Sequence, residues 1–502
     1  MKLKSSNEFL QTAFEWAVDK TKIFVVTGTK NGEINKGEGN KWYGPNQKVI
    51  KQPNQPWAQP KDYKPAFWAG YFDRTAYYIR DYAHQAVGAY LVGLYDELYN
   101  MFYTFVSHAN EETGWFAPWA FNFDNTVYYM DTPNYKKFVR EITSQFELVE
   151  KAYQLYLWSG DQRYIKNDVI FNFIEKIMTV FIDGLDGVVL KEKNGIPEGK
   201  GDIWKGSSTY NERGFHAAEA GDSIGAMYKA ILSYASILEI RGDSEKAKAQ
   251  FERAESLKAY FNNDWSVVDG SDMYAYAIDH KGRQHYEWYK KGSEIHGGAS
   301  LLFIPMKELT YCGERNNKLL DYIFEKELNE STREDNIESL TYLPDVFFPY
   351  NQNDRAWFWM KHIISQKDLP HEHKTQGTNG DYPEISFTFI SQVIEGLMGI
   401  KVHADKSIIS TCPHFPDDID DIQISDLEFG NIAVDVSLER EKAVFSNKSE
   451  SVVYYKCRFA ADKDCFYVNG EKIRAEKETE NGVNISYVCV EIQPGSKVII
   501  EW

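Results

Sequence analysis

The run Tyr71-Phe-Asp-Arg-Thr-Ala-Tyr-Tyr-Ile-Arg-Asp-Tyr-Ala-His84 places Arg80 beside Asp81 among the three tyrosines Tyr77, Tyr78 and Tyr82, at the mouth of an apolar, helix-like stretch that continues to Leu94. A carboxylate accepts hydrogen bonds from hydroxyl groups and a guanidinium donates to them. Aromatic faces pack on the C–H faces of a ring. Together these side chains suit a neutral, hydroxyl-rich ligand, which points to a sugar; the competing reading is an ion pair that caps the helix. Aromatic residues make up 15% of the chain and recur in polar surroundings, as in Gly114-Trp-Phe-Ala-Pro-Trp119 and Tyr286-Glu-Trp-Tyr289. Trp115, Trp119, Asp124, Trp204 and Trp288 are therefore candidate walls of a binding site, with burial in a large helical core as the alternative.

Other chemistries find little support. His371-x-His373 has a spacing that two metal ligands can share, but no third ligand stands at a suitable distance. A Gly-rich phosphate cradle, a serine nucleophile elbow and an H-E-x-x-H motif are all missing from the sequence. No cofactor and no metal are expected. The 56 basic and 74 acidic residues leave a net charge of −18, which argues against partners that need clustered cations, namely nucleic acid and anionic membranes. Five cysteines without a C-x-x-C pair fit a reducing compartment. The N-terminal Met-Lys-Leu-Lys leads into an amphipathic helix rather than an apolar signal core, and no run of about 18 uncharged apolar residues occurs. A cytoplasmic, soluble protein with an oligosaccharide or glycoside as its partner is expected.

The elements that must hold these residues read mostly as helices. Asn7 to Thr21 carries Leu10, Phe14 and Ala17 on one face. Lys30 to Tyr63, rich in Asn, Gly, Lys and Pro, reads as an ordered loop, with Trp42 and Trp57 to pack on something. Phe138, Ile142, Phe146, Val149, Tyr153 and Tyr156 form a stripe that ends at Ser159-Gly160-Asp161, and the same punctuation returns at Arg241-Gly242-Asp243. Further helices are readable near Asn316 to Leu328, Asp354 to Ser365 and Glu384 to Gly399. After Gly399 the period changes to two: Ile432, Val434, Val436 and Leu438 alternate with polar residues, Asn469-Gly470 reads as a hairpin turn, and Lys497 to Trp502 reads as a strand. The expected division is helical hairpins over residues 1–400 and a small β-sandwich over 401–502.

Six or so helical hairpins followed by a small β-sandwich resemble the (α/α)6 six-hairpin glycosidases, the fold shared by glucoamylases, α-L-rhamnosidases and kojibiose-type phosphorylases. The nearest likeness is to uncharacterised six-hairpin glycosidase-like proteins. Ile79-Arg-Asp-Tyr-Ala-His-Gln85 resembles the Arg-Asp segment that holds the terminal sugar in glucoamylase-like barrels. Tyr382 to Gly399 resembles the last barrel helix, and Ile408-Ile-Ser-Thr-Cys-Pro-His-Phe-Pro-Asp417 the opening of the C-terminal sandwich. The resemblance implies a mostly α chain, an (α/α)6 barrel with a C-terminal β-sandwich. It also implies a glycoside hydrolase, exo-acting and inverting, that uses a pair of carboxyl groups. The rhamnosidase Asp-Glu-Arg segment and the glucoamylase Trp-Glu-Glu are both missing, so neither substrate is inherited. The rival readings are an inverting glycoside phosphorylase and a non-catalytic carbohydrate-binding protein.

In such barrels the acid lies in a loop midway along the chain and the base shortly before the last barrel helix. The resemblance thus implies Glu212 as the acid, in the Gly- and aromatic-rich loop from Gly195 to His216, with Glu198, Asp202, Glu219 and Asp222 as rivals. It implies Glu372 as the base, between His371 and His373, with Glu384 as rival. Asp381-x-x-Glu384 beside Pro383 also reads as a helix cap. Arg80, Asp81, Tyr210, His371 and Glu384 complete the expected substrate-binding set.

Overall fold

The computed structural model describes residues 1–26, 41–43, 49–51, 63–71, 76–128, 131–134, 136–183, 195–211, 216–287, 298–333, 336–373 and 376–502. Glu212, Trp288 and most of the loop expected over Lys30 to Tyr63 lie outside the described residues.

Asn7 starts the first helix by accepting a hydrogen bond from the Leu10 amide at 3.0 Å, and α1 (Glu8–Thr21) buries Leu10, Phe14 and Ala17. Then follow α2 (Ile79–Leu91), α3 (Tyr95–Ser107) and α4 (Ile142–Ser159). Gly160, at φ 68°, closes α4 in the left-handed conformation that glycine adopts without steric cost. α5 (Asp168–Lys176) runs on as a π-helical turn to Phe181. After α6 (Gly221–Ile240), the Asp243 side chain caps α7 (Ser244–Tyr260), as the Arg-Gly-Asp punctuation implies. The last helices are α8 (Gly298–Met306), α9 (Glu314–Leu328), α10 (Leu343–Phe347), α11 (Asn353–Ser365) and α12 (Pro383–Ser391).

Neighbour relations close these helices into a ring. α2 packs on α4, α4 on α6, α6 on α8, α8 on α10, α10 on the π-helical continuation of α12, and α12 back on α2. The odd-numbered helices form an outer layer, with α1 on α12, α3 on α2, α7 on α6, α9 on α8 and α11 on α10. This is an (α/α)6 barrel.

From Lys401 onward the chain is a β-sandwich of a seven-stranded and a five-stranded sheet. Ile432, Val434, Val436 and Leu438 all point inward, and Phe445 of one sheet stacks on Tyr455 of the other at 4.3 Å between ring centroids. One strand comes from the far end of the sequence: Lys2–Ser5 pairs antiparallel with Asp421–Phe429. The sandwich holds the C-terminal ends of the inner helices. The Gly430 amide donates to the Tyr90 hydroxyl at 2.9 Å, Trp158 meets Phe429 at 5.4 Å, and the Asn481 side chain donates to Glu308 at 3.1 Å. The N-terminal ends of the inner helices therefore face away from the sandwich.

Candidate functional site

Ionisable side chains gather in the first two turns of the inner helices. Arg80, Asp81 and His84 stand on α2, Asp222 on α6, Asp345 on α10 and Glu384 on α12, while Glu141 is the residue just before α4. The unpaired amides of a helix N-terminus carry partial positive charge, so carboxylates are favoured there. Two clusters result.

In the first, the Tyr382 hydroxyl donates to Asp81, and Glu384 meets Nδ1 of His84. His84 Nε2 lies 3.4 Å from Asp345, and its ring stacks on Tyr342 at 3.9 Å. Glu338, on a helical turn just before α10, shares a hydrogen bond with Tyr71 and lies 3.7 Å from Nε2 of His371. Burial and the Asp81 and Glu384 charges raise the Glu338 pKa to about 8. Asp81 is raised to about 6 by burial and by Glu384, against the pull of the Tyr382 hydroxyl. His84 moves the other way: burial opposes its charge, yet Glu384 and Asp345 bring its pKa up to about 9. His371 is lowered to about 4, by burial and then by His373, so its ring is neutral near pH 7.

In the second cluster Arg80 lies between two aromatic faces, 5.0 Å from the ring centroids of both Trp119 and Tyr210. Its Nη1 donates to the Tyr210 carbonyl at 2.9 Å, and its Nε lies 3.7 Å from Glu141. Trp119 Nε1 donates to the other Glu141 oxygen at 3.1 Å. The Tyr210 hydroxyl donates to Glu147, which Lys307 also holds at 2.9 Å, and the Tyr210 amide donates to Asp222 at 2.6 Å. Asp222, fully buried, is raised to about 6 by that burial.

The structure sorts the residues singled out in the sequence. Arg80, Trp119 and Tyr210 share the second cluster, and Asp81, His371 and Glu384 the first. Glu372 is exposed on its loop, although His371 beside it is only 4% exposed. Glu384 is 3% exposed, and the capping role belongs instead to Asp381, which accepts from the Thr378 amide and hydroxyl and pairs with Lys20 at 2.7 Å. Trp115 lies in the core with Lys176 over its ring, and Asp124 accepts from the Thr126 amide and hydroxyl in a local turn. Trp204 is 36% exposed with Lys137 over its ring. Among the rivals to Glu212, Asp202 accepts from the Trp204 amide and Glu219 from the Trp265 indole. Four acidic residues of the clusters went unread: Glu141, Glu147, Glu338 and Asp345. His84 stood inside the opening run and three residues from Asp81, which on a helix is the same face, so its signal was present. Among the described residues no group of three or more ligating side chains is placed to hold a metal ion, and no helix is long and apolar enough to cross a membrane.

No protein-family model matches the chain, and no curated protein matches it in sequence. Solved structures do match in shape. A GH78 family rhamnosidase of Bacillus sp. GL1 aligns over 89% of this chain with a TM-score of 0.57 at 10% identity. An α-L-rhamnosidase from Dictyoglomus thermophilum aligns over 100% of it with a TM-score of 0.58 at 12% identity. The fold is that of the six-hairpin glycosidases. A third match, the α-L-rhamnosidase from Aspergillus terreus, covers 98% with a TM-score of 0.54 at 12% identity. This chain spans 40% of the length of the first structure and 50% of each of the other two. At these identities the likeness carries the six-hairpin architecture and leaves the chemistry to the side chains.

Proposed function

We propose that the protein is a glycoside hydrolase that inverts the anomeric centre, with Glu384 as general base and Glu338 as general acid. The observation that carries this reading is the different surroundings of two carboxyl groups in one mouth: Glu338 is buried beside other carboxyl groups, and Glu384 meets the His84 ring. Glu338 holds a proton up to about pH 8, as an acid must. Glu384 instead faces His84, whose pKa Glu384 and Asp345 raise to about 9 against the effect of burial, so a cationic partner stands beside the proposed base. Inversion needs room for water between the two groups, about 6.5–9.5 Å. Asp81 and Tyr382 beside them supply an acceptor and an aromatic hydroxyl for the sugar, and Arg80 with Trp119 and Tyr210 forms an adjoining wall.

The test is a panel of 4-nitrophenyl glycosides and natural oligosaccharides, run with and without phosphate. It begins with α-L-rhamnosides, because the similar structures are rhamnosidases. Glu338→Gln should spare 4-nitrophenyl substrates, whose leaving group needs little protonation, and cripple unactivated glycosides. Glu384→Gln should damage both, with azide restoring turnover by displacing the leaving group itself to give a glycosyl azide inverted relative to the substrate, the same sense as hydrolysis. The same leaving-group pattern in Glu212→Gln but not in Glu338→Gln would transfer the acid role to Glu212. Strict phosphate dependence would make the protein a phosphorylase, and binding without turnover a carbohydrate-binding protein.

A further inference from the structure

The ring of His84 is contacted at both nitrogens and on one face. Nδ1 meets Glu384, Nε2 lies 3.4 Å from Asp345, and Tyr342 stacks on the ring with the planes 7° apart. His84 belongs to α2, Glu384 to α12 and Asp345 to α10, so three inner helices converge on one imidazole. A neutral imidazole has a single N–H and can donate to only one of two carboxylates; serving both takes the doubly protonated ring. Asp345 is fixed from a further direction, since Gln392 donates to it at 3.2 Å and to the Thr341 carbonyl at 2.7 Å.

We propose that His84 is a positioning residue, an imidazolium clamped between Glu384 and Asp345 that keeps the Glu384 carboxylate ionised and aimed at the attacking water. The proposal rests on the assignment of Glu384 as the base. Without that cation Glu384 would be a buried carboxylate near Asp81 and Glu338, and burial and like charge both favour its neutral form. The charged and titratable groups around His84 are Arg80 and Asp81 of α2, Tyr382, Glu384 and Glu395 of α12 and its continuation, and Glu338, Tyr342 and Asp345 of the α10 region. Glu147 and Lys307 line the same cavity from α4 and from just after α8 and pair with each other at 2.9 Å. His84 and Asp345 also line that cavity, which has a volume of about 320 Å³ and is lined by residues of both barrel and sandwich.

Two measurements decide the proposal. The first is an NMR titration of the full chain carrying ¹⁵N-histidine, with His84 assigned from its disappearance in His84→Gln. The ring should be doubly protonated at pH 7.5, and its midpoint should fall by about one pH unit or more in Glu384→Gln, roughly tenfold in the protonation equilibrium. A neutral ring at pH 7.5, or a midpoint unmoved in Glu384→Gln, overturns the clamp, and this result needs no substrate. The second is the pH profile of kcat/KM on the best 4-nitrophenyl glycoside. In His84→Gln the acid limb should move up by about one pH unit, with KM changed much less. A uniform loss at all pH values would show a merely structural role and overturn the proposal. Full activity in Glu384→Gln would instead remove the base assignment, and the NMR result shows independently whether the ion pair itself exists.

Discussion

Glu338 and Asp81 keep protons in the folded protein that they would lose in the unfolded chain, and the sign of the consequence is fixed. A carboxyl group with a raised folded pKa favours the folded state below its unfolded pKa, and that contribution disappears as pH rises through the folded value. For Glu338 the window runs from 4.5 to about 8, and for Asp81 from 3.8 to about 6. Stability should therefore decline from weakly acidic to alkaline pH. Glu338→Gln removes one source of that decline, so its thermal midpoint should exceed the wild type's by a margin that widens between pH 5 and pH 8.5. A constant difference across that range would show that Glu338 is not protonated in the folded state. Asp81→Asn relieves the repulsion with Glu384 and should raise the midpoint more at pH 8 than at pH 5, while turnover falls at least tenfold. A large loss of stability with normal kinetics would mark Asp81 as structural. At this scale Arg80, Asp81 and Tyr210, singled out in the sequence because chemistry and local pattern coincide there, are brought into the two clusters, which leaves their roles to the kinetic tests. The sequence was silent at Glu338 and Asp345, because a glutamate or aspartate at a helix start looks the same whether it faces solvent or a barrel axis.

The His84–Glu384 contact depends on how closely α2 approaches α12. Gly88, one turn after His84, lies against the Phe387 carbonyl, one turn after Glu384, so closely that a Cβ would overlap the oxygen. Gly221 does the same for α6 against Ser300 of α8. Backbone has no rotamer to turn aside, so a methyl group at Gly88 must push the two helices apart. Overpacking of this kind costs about 1–3 kcal/mol or more. Gly88→Ala should lower the thermal midpoint by several degrees and also reduce turnover, since the same displacement separates His84 from Glu384. Normal kinetics in a destabilised Gly88→Ala protein would show that the first turns are held by other contacts. Helix existence was readable from stripes and caps: Asn7, Gly160 and Asp243 act at the positions their types suggest. The two glycines were not readable as contact points, because a glycine within a helix signals a close approach without naming its partner. The expected cap at Glu384 failed for a related reason. Thr378 and Asp381 form their own capping box on the 3-10 turn Asn379–Asp381, which frees the Glu384 carboxylate to face the barrel.

At the scale of the whole molecule, the switch from helical to alternating periodicity near Gly399 displayed both halves of the architecture, and the strand Lys2–Ser5 was overlooked because four residues are too few to show a period. That strand ties the N-terminal segment to the sandwich. Leu3 faces Ile424 in the pairing, the Ser5 hydroxyl donates to the Asp421 carbonyl at 2.6 Å, and the Asn7 side chain donates to the Asp418 carbonyl at 3.0 Å while its oxygen caps α1. α1 in turn packs on α12, the helix that carries Glu384. Removing Met1–Ser6 would leave Asp421–Phe429 as an open edge, whose unpaired amides and carbonyls invite association with other chains. It would also expose Leu3's partners and loosen the entry to α1. The truncated protein should therefore unfold at a lower temperature than the full chain and show concentration-dependent association by light scattering. Its kcat on the best glycoside should fall less than in Gly88→Ala, because α1 lies in the outer layer and the contact between α2 and α12 stays intact. A truncated protein that is monomeric and as stable as the full chain would show that the strand is only laid on the sheet and that the sandwich closes without it.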